Sequence, residues 1–154
     1  MKDYKVVFID LDGTLIETRT DNVFPKGIYD MQIRFDTFDA LKKLNPKFII
    51  IVTNQGGIHE GCVDVLSFIA KLNYIKRCLV DYIHCRVYAE YCPAIDKDNE
   101  YRKPNVGMLN GYMSMLNQHN IFKGDCLLVG DRTEDKLTAE NFGIDFINVC
   151  DFVK

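Results

Sequence analysis

The sequence predicts an α/β fold in which a doubly wound, Rossmann-like parallel sheet of about five strands is flanked by helices. Two observations lead to this expectation. Short apolar runs rich in β-branched residues, typical of strands buried on both faces, recur along the chain, and segments with helical spacing of apolar residues lie between them. Strands that alternate with helices, without an internal repeat, indicate a doubly wound sheet.

The chain of 154 residues is long enough to bury a full core, and we expect a single domain over residues 1–154. Its net charge of −3 provides no general attraction to nucleic acid or to anionic membranes. The longest apolar run, Phe48 to Val52, is too short to cross a bilayer, and the first residues lack the pattern of a signal peptide. Six cysteines at irregular spacings suit reduced thiols. We therefore expect no membrane partner and an intracellular location, cytoplasmic or, in a eukaryote, nuclear.

The first predicted strand covers residues 6–9, an apolar run that ends at the segment Asp10-Leu11-Asp12-Gly13-Thr14. Residues 16–35 contain Asp-Asn and Pro-Lys-Gly turn sequences, which predict an irregular flap beside this strand. Asp36 is a candidate N-cap of a helix that ends near Asn45-Pro46.

The rest of the chain continues the alternation of strands and helices. Strands are predicted over 48–53, 86–89, 126–129 and 146–149, and helices over 62–80, from 104 to 116, and after 131 up to 142. Pro104 suits the first turn of a helix because proline lacks an N–H group that this position would leave unbonded. Gly143 suits the end of a helix because glycine readily adopts the left-handed conformation found there.

Two carboxylates, two residues apart, follow the first strand. In an open α/β sheet, the carboxyl end of a strand is where ligands bind. At that position Asp10 can act as a nucleophile, and Asp12 can exchange protons with a leaving group. Gly13 allows a sharp turn that brings backbone N–H groups close to an anion. A simple turn between two strands would explain the glycine but not the charge of Asp10 at the end of a buried strand.

Polar residues that could complete such a site follow later in the chain. Thr53 ends the second strand, and its hydroxyl together with Asn54 could hold a phosphate oxygen. Lys103 stands at a predicted helix start, where its charge could neutralise a transferring phosphoryl group. Asp131 and Asp135 follow the fourth strand, and carboxylates in this arrangement suit Mg²⁺. Each feature alone has an ordinary structural explanation, whereas their order along the chain indicates a common site.

The order D-x-D-G-T, then T, K and G-D-x-x-x-D, is similar to that of the haloacid dehalogenase superfamily of phosphoryl-transfer enzymes. The resemblance spans almost the whole chain and implies a phosphatase. It implies that Asp10 attacks phosphorus to form an aspartyl-phosphate, while Asp12 protonates the leaving oxygen and then deprotonates a water molecule. It further implies that Thr53, Asn54 and Lys103 hold the phosphoryl oxygens.

The same resemblance implies a Mg²⁺ cofactor held by Asp10, the backbone carbonyl of Asp12, and Asp131. It leaves Asp135 in a supporting position. Members of the superfamily often carry a large cap domain between motifs, but here the intervals are taken up by one helix and one strand each, so we expect no large cap.

Several loops more closely resemble the phosphatase domain of polynucleotide kinase 3′-phosphatases, which remove a 3′-phosphate from DNA ends. The matching segments are 15–19, 23–27, 53–58 and 101–108. The main prediction is therefore a phosphatase acting on DNA 3′ ends, in which Arg19 and Arg102 bind substrate. Further candidate contacts to the DNA backbone are Lys26, Arg34, Arg132 and Lys136. Glu60 stands where that family usually has an arginine, and the sequence contains no G-x-x-x-x-G-K-[ST] kinase motif.

The alternative is a small-molecule phosphatase, because histidinol-phosphate and heptose-bisphosphate phosphatases share the T-N-Q-x-G and R-K-P-x-x-G-M motifs. Many of these enzymes carry a zinc loop. Here Cys92 is present, but Ala94, Asn99 and Tyr101 replace the other ligands, so we predict no zinc. A remote alternative is a non-enzymatic phosphoacceptor domain, although such domains place the phosphoacceptor and the acid pair on different strands. The oligomeric state and any kinase or ligase partner stay open.

Overall fold

The computed structural model describes residues 2–22, 25 and 27–154. The strands in these residues are β1 (Val6–Ile9), β2 (Ile16–Thr18), β3 (Met31–Ile33), β4 (Phe48–Asn54), β5 (Arg86–Cys92), β6 (Cys126–Gly130) and β7 (Asp145–Asn148). The helices are α1 (Phe35–Leu44), α2 (Gly56–His59), α3 (Val65–Ile83), α4 (Gly107–Gln118), α5 (Thr133–Phe142) and α6 (Val149–Phe152). Within the described part of the chain, no helix has the length and apolar character needed to span a membrane.

Five strands form one parallel sheet in the order β5-β4-β1-β6-β7. The central strand, β1, pairs in parallel with β4 on one side and with β6 on the other. The predicted doubly wound parallel sheet is therefore confirmed. The strand order reverses at β1, and in open α/β sheets ligands bind at the carboxyl ends of the strands beside such a reversal.

The side chains of β1 divide the core into two layers. Val7 and Ile9 pack with α1, α3 and α6, whereas Val6 and Phe8 pack with α4 and α5. All four side chains are fully buried. Because both faces of the strand are covered, its sequence is continuously apolar rather than alternating. This packing fixes β1 and, with it, the position of the acidic segment that follows.

Residues 16–35 are more regular than their turn sequences predict. Strands β2 and β3 form an antiparallel pair in which Ile16 lies opposite Ile33. Arg34 ties this hairpin to the loop after β1, because its Nη1 donates a hydrogen bond to the carbonyl of Gly13 at 3.0 Å. The prediction of an irregular flap is therefore wrong for these two strands. Each strand has only three residues and one buried side chain, and so short a pattern cannot be detected in the sequence. Positions 23, 24 and 26 of the predicted flap lie outside the described residues.

Helix α4 begins at Gly107 rather than at Pro104, so the predicted helix start is wrong. Asn54 explains the difference. Its Oδ1 accepts a hydrogen bond from the backbone N–H of Lys103 at 2.9 Å, and its Nδ2 donates to the carbonyl of Lys103 at 3.0 Å. The N–H of Gly107 bonds to the carbonyl of Glu100 at 2.8 Å. These tertiary contacts hold residues 103–106 in an irregular conformation against the end of β4.

Helices α1 and α3 also have boundaries that differ from the sequence prediction. Arg34, not Asp36, occupies the N-cap position of α1. The carboxylate of Asp36 pairs instead with the guanidinium of Arg34 at 2.8 Å, and this contact lowers the pKa of Asp36. Helix α3 begins after Asp64, whose Oδ2 accepts a hydrogen bond from the N–H of Ser67, and it continues beyond residue 80 to Ile83. The starts of both helices involve side-chain contacts of Asp36 and Asp64 that the periodicity of apolar residues does not reveal.

Candidate active site

The carboxyl ends of β1, β4 and β6 surround a cleft of about 370 Å³. Charged and small residues from several loops line it: Asp10, Asp12, Thr53, Asn54, Gln55, Gly56, Gly57, Glu60, Cys62, Val63, Ile95, Arg102, Lys103, Arg132, Glu134 and Asp135. Asp131 adjoins Asp10. The structure therefore brings together the predicted catalytic, phosphate-binding and metal-binding residues and Arg102, whereas Arg19, Arg34 and Lys136 do not line the cleft.

At the base of the cleft, one lysine joins two acids. The Nζ of Lys103 lies 2.9 Å from Oδ1 of Asp10 and 2.5 Å from Oδ1 of Asp135. All three side chains are buried. Desolvation raises the pKa of Asp10 to about 7, with Lys103 opposing the shift and Asp135 and Asp12 adding to it. Burial by itself lowers the pKa of Lys103, but the two carboxylates outweigh it and the net pKa is raised. The lysine therefore stays charged where a phosphoryl group would need a cation.

Asp12 is held by a glutamine on one side of the cleft. The Nε2 of Gln55 donates to Oδ2 of Asp12 at 2.8 Å and to the hydroxyl of Thr53 at 3.0 Å. Thr53 and Gln55 are both buried. The amide of Gln55 therefore connects the end of β4 to the acid that follows β1.

Asp10, Asp131 and Asp135 form an acidic cluster in which one carboxylate oxygen from each lies within 4.8 Å of the others. Burial raises the pKa of Asp131, and the charge of Asp135 adds to the effect. Both oxygens of Asp135 are already engaged, one by Lys103 and one by the N–H of Arg132 at 3.1 Å. A hard cation with oxygen ligands, such as Mg²⁺, fits this donor set and would relieve the repulsion among the acids.

Two glycines allow the acids to approach the ends of the strands. Gly13 has a φ of 79°, and a Cβ atom there would lie 2.4 Å from Oδ2 of Asp131. A Cβ atom on Gly130 would lie 2.4 Å from the carboxyl carbon of Asp135. A side chain at either glycine would displace an acid of the cluster, and at Gly13 it would also strain the backbone.

The predicted substrate-binding arginines have different positions. Arg102 lines the cleft, where its Nη1 donates to the carbonyl of Ala94 at 2.8 Å. Arg19 is exposed at the end of β2 and does not line the cleft. Among the other basic candidates, Arg132 lines the cleft, while Lys26 lies outside the described residues.

Sequence reasoning missed two side chains that contact Asp12. Gln55 follows Thr53-Asn54 directly and is the glutamine of the T-N-Q-x-G motif, but the motif does not indicate its contact with Asp12. Lys71 lies on α3 with its Nζ 3.9 Å from Oδ1 of Asp12. A signal for Lys71 was present, because this lysine falls on the apolar face of a helix, next to Leu72 and three residues after Phe68.

The family model for polynucleotide kinase 3 phosphatase matches residues 5–152. The chain belongs to this family. It is a capless phosphatase of the haloacid dehalogenase superfamily. The order of its motifs predicted the superfamily, and the short intervals between them predicted that no large cap is present.

Several relatives are named as heptose-1,7-bisphosphate 7-phosphatases or as histidine biosynthesis proteins. A probable D-glycero-D-manno-heptose-1,7-bisphosphate 7-phosphatase of Thermoplasma acidophilum is 35% identical over 147 residues, which cover 92% of this chain and 88% of that protein. The bifunctional histidine biosynthesis protein HisB of Buchnera aphidicola is 33% identical over 91% of this chain, which spans 39% of HisB. The D,D-heptose 1,7-bisphosphate phosphatase structure from B. bronchiseptica, complexed with magnesium and phosphate, has a TM-score of 0.72 at 22% identity and covers 92% of this chain and 78% of that one.

The names of these relatives do not support the main sequence prediction of a DNA 3′-phosphatase. They favour the alternative, a phosphatase for a small phosphorylated molecule. The resemblance of the loops to polynucleotide phosphatases was real, as the family match demonstrates, but loop similarity did not determine the substrate.

Proposed function

We propose that this protein is a Mg²⁺-dependent phosphomonoesterase acting on a small metabolite of the heptose-bisphosphate or histidinol-phosphate type. The observation that carries the proposal is the buried pair of Asp10 and Lys103 at the base of a confined cleft, with Asp12 on its wall. The pair combines a nucleophile with the cation that lets it approach a phosphate anion.

In the first step, an oxygen of Asp10 attacks phosphorus while the bond from phosphorus to the ester oxygen breaks. Asp12 gives its proton to the departing alkoxide. Lys103 and Thr53 hold the phosphoryl oxygens. Asn54 fixes the position of Lys103, because its side chain bonds to both the N–H and the carbonyl of that residue. The products are the free alcohol and an aspartyl-phosphate on Asp10.

In the second step, water attacks the phosphorus of the aspartyl-phosphate. Asp12, now a carboxylate, takes a proton from this water, and the bond between Asp10 and phosphorus breaks to release inorganic phosphate. Asp12 is thereby returned to its protonated form. A phosphoacceptor domain that only stores a phosphoryl group has no need for such an acid beside the nucleophile.

The side chains of Asp10 and Asp131, with the backbone carbonyl of Asp12, would hold Mg²⁺. When bound, the ion neutralises negative charge shared by these acids and the phosphate. Asp135 is better suited to hold Lys103, because both of its oxygens already accept hydrogen bonds.

Two features of the cleft favour a small substrate over a DNA end. Its volume of about 370 Å³ lies within the range that encloses small ligands. Its exposed edge carries charges of both signs, since Glu60 and Glu134 line it together with Arg102 and Arg132. A protein that follows a DNA backbone presents a continuous row of cations, which compensates for successive phosphates.

The proposal is tested by assaying phosphate release from heptose 1,7-bisphosphate, histidinol phosphate and a 3′-phosphorylated oligonucleotide, each with Mg²⁺ and with a chelator. We expect kcat/KM for one of the two small molecules to exceed that for the oligonucleotide by at least about 10²-fold, and we expect activity only with Mg²⁺. The oligonucleotide arm is repeated at higher salt, because contacts to a DNA backbone weaken steeply as salt rises. A preference for the oligonucleotide, or full activity in the chelator, would overturn the proposal.

A further inference from the structure

One buried cation near the cleft has no part in the chemistry described above. Lys71 lies in the middle of α3, and its side chain is 2% exposed. Its neighbours on the same face of the helix are Phe68, Leu72 and Ile75, all buried and apolar. Lysine is almost never fully buried unless it is paired, because transfer of its charge out of water is unfavourable.

The ammonium group of Lys71 points towards the catalytic loop. It lies 3.9 Å from Oδ1 of Asp12 and 3.5 Å from the backbone carbonyl of Pro25, and it stands over the ring of Phe68 at 5.4 Å. Burial lowers the pKa of Lys71, while the charges of Asp12 and Asp30 oppose the shift. No other carboxylate lies within ion-pair distance of Lys71 in the described residues.

The two oxygens of Asp12 are therefore in different environments. Oδ2 accepts a hydrogen bond from Gln55 at 2.8 Å. Oδ1 is buried and accepts no hydrogen bond from the described residues, and Lys71 is the cation beside it. Gln55 thus bonds to one oxygen of the carboxyl group while the charge of Lys71 faces the other at 3.9 Å, and this arrangement favours one orientation of the group. A carboxyl group that must first give a proton and then take one needs a defined orientation in both steps.

We propose that Lys71 is a positioning residue, which holds Asp12 in the orientation required for proton transfer to the leaving group and from the attacking water. The inference rests on the proposed function. Lys71 is too deeply buried to bind substrate, so its effect passes through Asp12. Asp10 and Lys103 lie in a separate set of contacts, and the attack of Asp10 on phosphorus does not depend on Lys71.

A comparison of two substrates separates this role from a purely structural one. An alkyl phosphate needs a proton on its leaving oxygen, whereas p-nitrophenyl phosphate leaves as a stable phenolate without one. In Lys71→Met we expect kcat for the best alkyl phosphate of the panel above to fall by about 10²-fold, the size of effect that proton transfer commonly contributes. With p-nitrophenyl phosphate, the first step should remain fast and the second should slow.

Pre-steady-state kinetics then give a distinctive result. Lys71→Met should release a burst of about one equivalent of p-nitrophenol per enzyme, followed by a slow steady state, because the aspartyl-phosphate accumulates. Lys71→Arg, which keeps the charge, should restore part of the steady-state rate. Lys76→Met, on the same helix and partly exposed, is the matched control and should behave as the unaltered protein does.

Each outcome decides the proposal. Equal loss of rate on both substrates without a burst would assign Lys71 a structural role, and unchanged kinetics would also overturn the positioning role. If Lys71→Met does not fold by circular dichroism, Lys71→Gln serves for the same comparison. If the unaltered protein hydrolyses neither ester, the proposed function fails as well, whereas a normal unaltered enzyme with a burst-free variant overturns only the inference about Lys71.

Discussion

The floor and the rim of the cleft differ in burial and in bonding. The floor consists of Asp10, Thr53, Lys103 and Asp135, which are between 1% and 6% exposed and bonded to protein atoms. The rim consists of Glu60, Arg102, Arg132 and Glu134, which are partly or fully exposed. A buried, fully bonded group has one position, whereas an exposed side chain can be replaced without disturbing the core. We infer that the floor determines the reaction and the rim selects the substrate.

The largest expected effect follows from removal of Asp10, the proposed nucleophile, from the floor. Asp10→Asn should lower kcat by at least about 10³-fold, because the amide cannot form the aspartyl-phosphate. Steady-state phosphate release measures the loss, and circular dichroism checks that the fold is retained. Asp81→Asn, an exposed acid at the far end of α3, is the control. A rate within tenfold of the unaltered enzyme would rule out Asp10 as the nucleophile.

The second effect concerns stability as well as rate. Lys103→Met leaves Asp10 and Asp135 buried without their cation, and removal of one partner from a buried ion pair commonly costs about 3–5 kcal/mol. We expect a loss of this size in the free energy of urea unfolding at neutral pH, together with loss of activity. Lys136→Met, an exposed lysine on α5, should change stability by less than about 0.5 kcal/mol. Equal stability of the two variants would contradict the account of the floor.

A third effect is the pH dependence that Asp10 gives to the metal-free protein. Its pKa is raised to about 7 in the folded state, from 3.8 for an ordinary aspartate. Because the folded state binds this proton more tightly, the stability that Asp10 contributes is present below about pH 4 and is lost as the pH rises to about 7. Asp10→Asn should therefore gain stability relative to the unaltered protein between about pH 5 and pH 8, as measured by urea unfolding in a chelator. A gain in stability that decreases from pH 5 to pH 8 would show that the pKa of Asp10 is not raised in the folded state.

The smallest effect is expected at the rim. Arg102→Ala should raise KM by about tenfold with little change in kcat, because it removes binding without touching the reacting groups. Loss of its bond to the carbonyl of Ala94 should leave the fold intact. Steady-state kinetics on the preferred substrate measure the two constants separately. A fall in kcat as large as that of Asp10→Asn would mean that floor and rim are not separate in function.

Much of the floor could be predicted from the sequence, because its residues follow apolar strands that the core forces into register. Asp10 follows β1, Thr53 lies near the end of β4, and Asp131 follows β6, so parallel pairing brings them to one edge of the sheet. Lys103 could be predicted only through the order of motifs, because it comes from a loop. Its position depends on Asn54, whose side chain bonds to the backbone N–H and carbonyl of Lys103. These bonds stand where the sequence predicted the first turn of a helix at Pro104.

Other features depend on contacts between segments far apart in the chain. The hairpin of β2 and β3 has strands of three residues, too short for a periodic signal, and it is held partly by Arg34. Gln55 and Lys71 contact Asp12 from distant segments, and although Lys71 stands out on an apolar helix face, no local pattern identifies Asp12 as its partner. Substrate choice was the least predictable property, since the loop motifs are shared by enzymes that act on DNA and on small molecules.

The most direct test of the central claim is detection of the phosphoryl group on Asp10. The enzyme is mixed with its preferred phosphomonoester and Mg²⁺, quenched in acid within milliseconds, and digested for mass spectrometry. We predict a phosphoryl adduct on the peptide that contains Asp10, transient in the unaltered enzyme and missing in Asp10→Asn. Rapid turnover without an adduct at any quench time, together with activity in Asp10→Asn, would contradict the account.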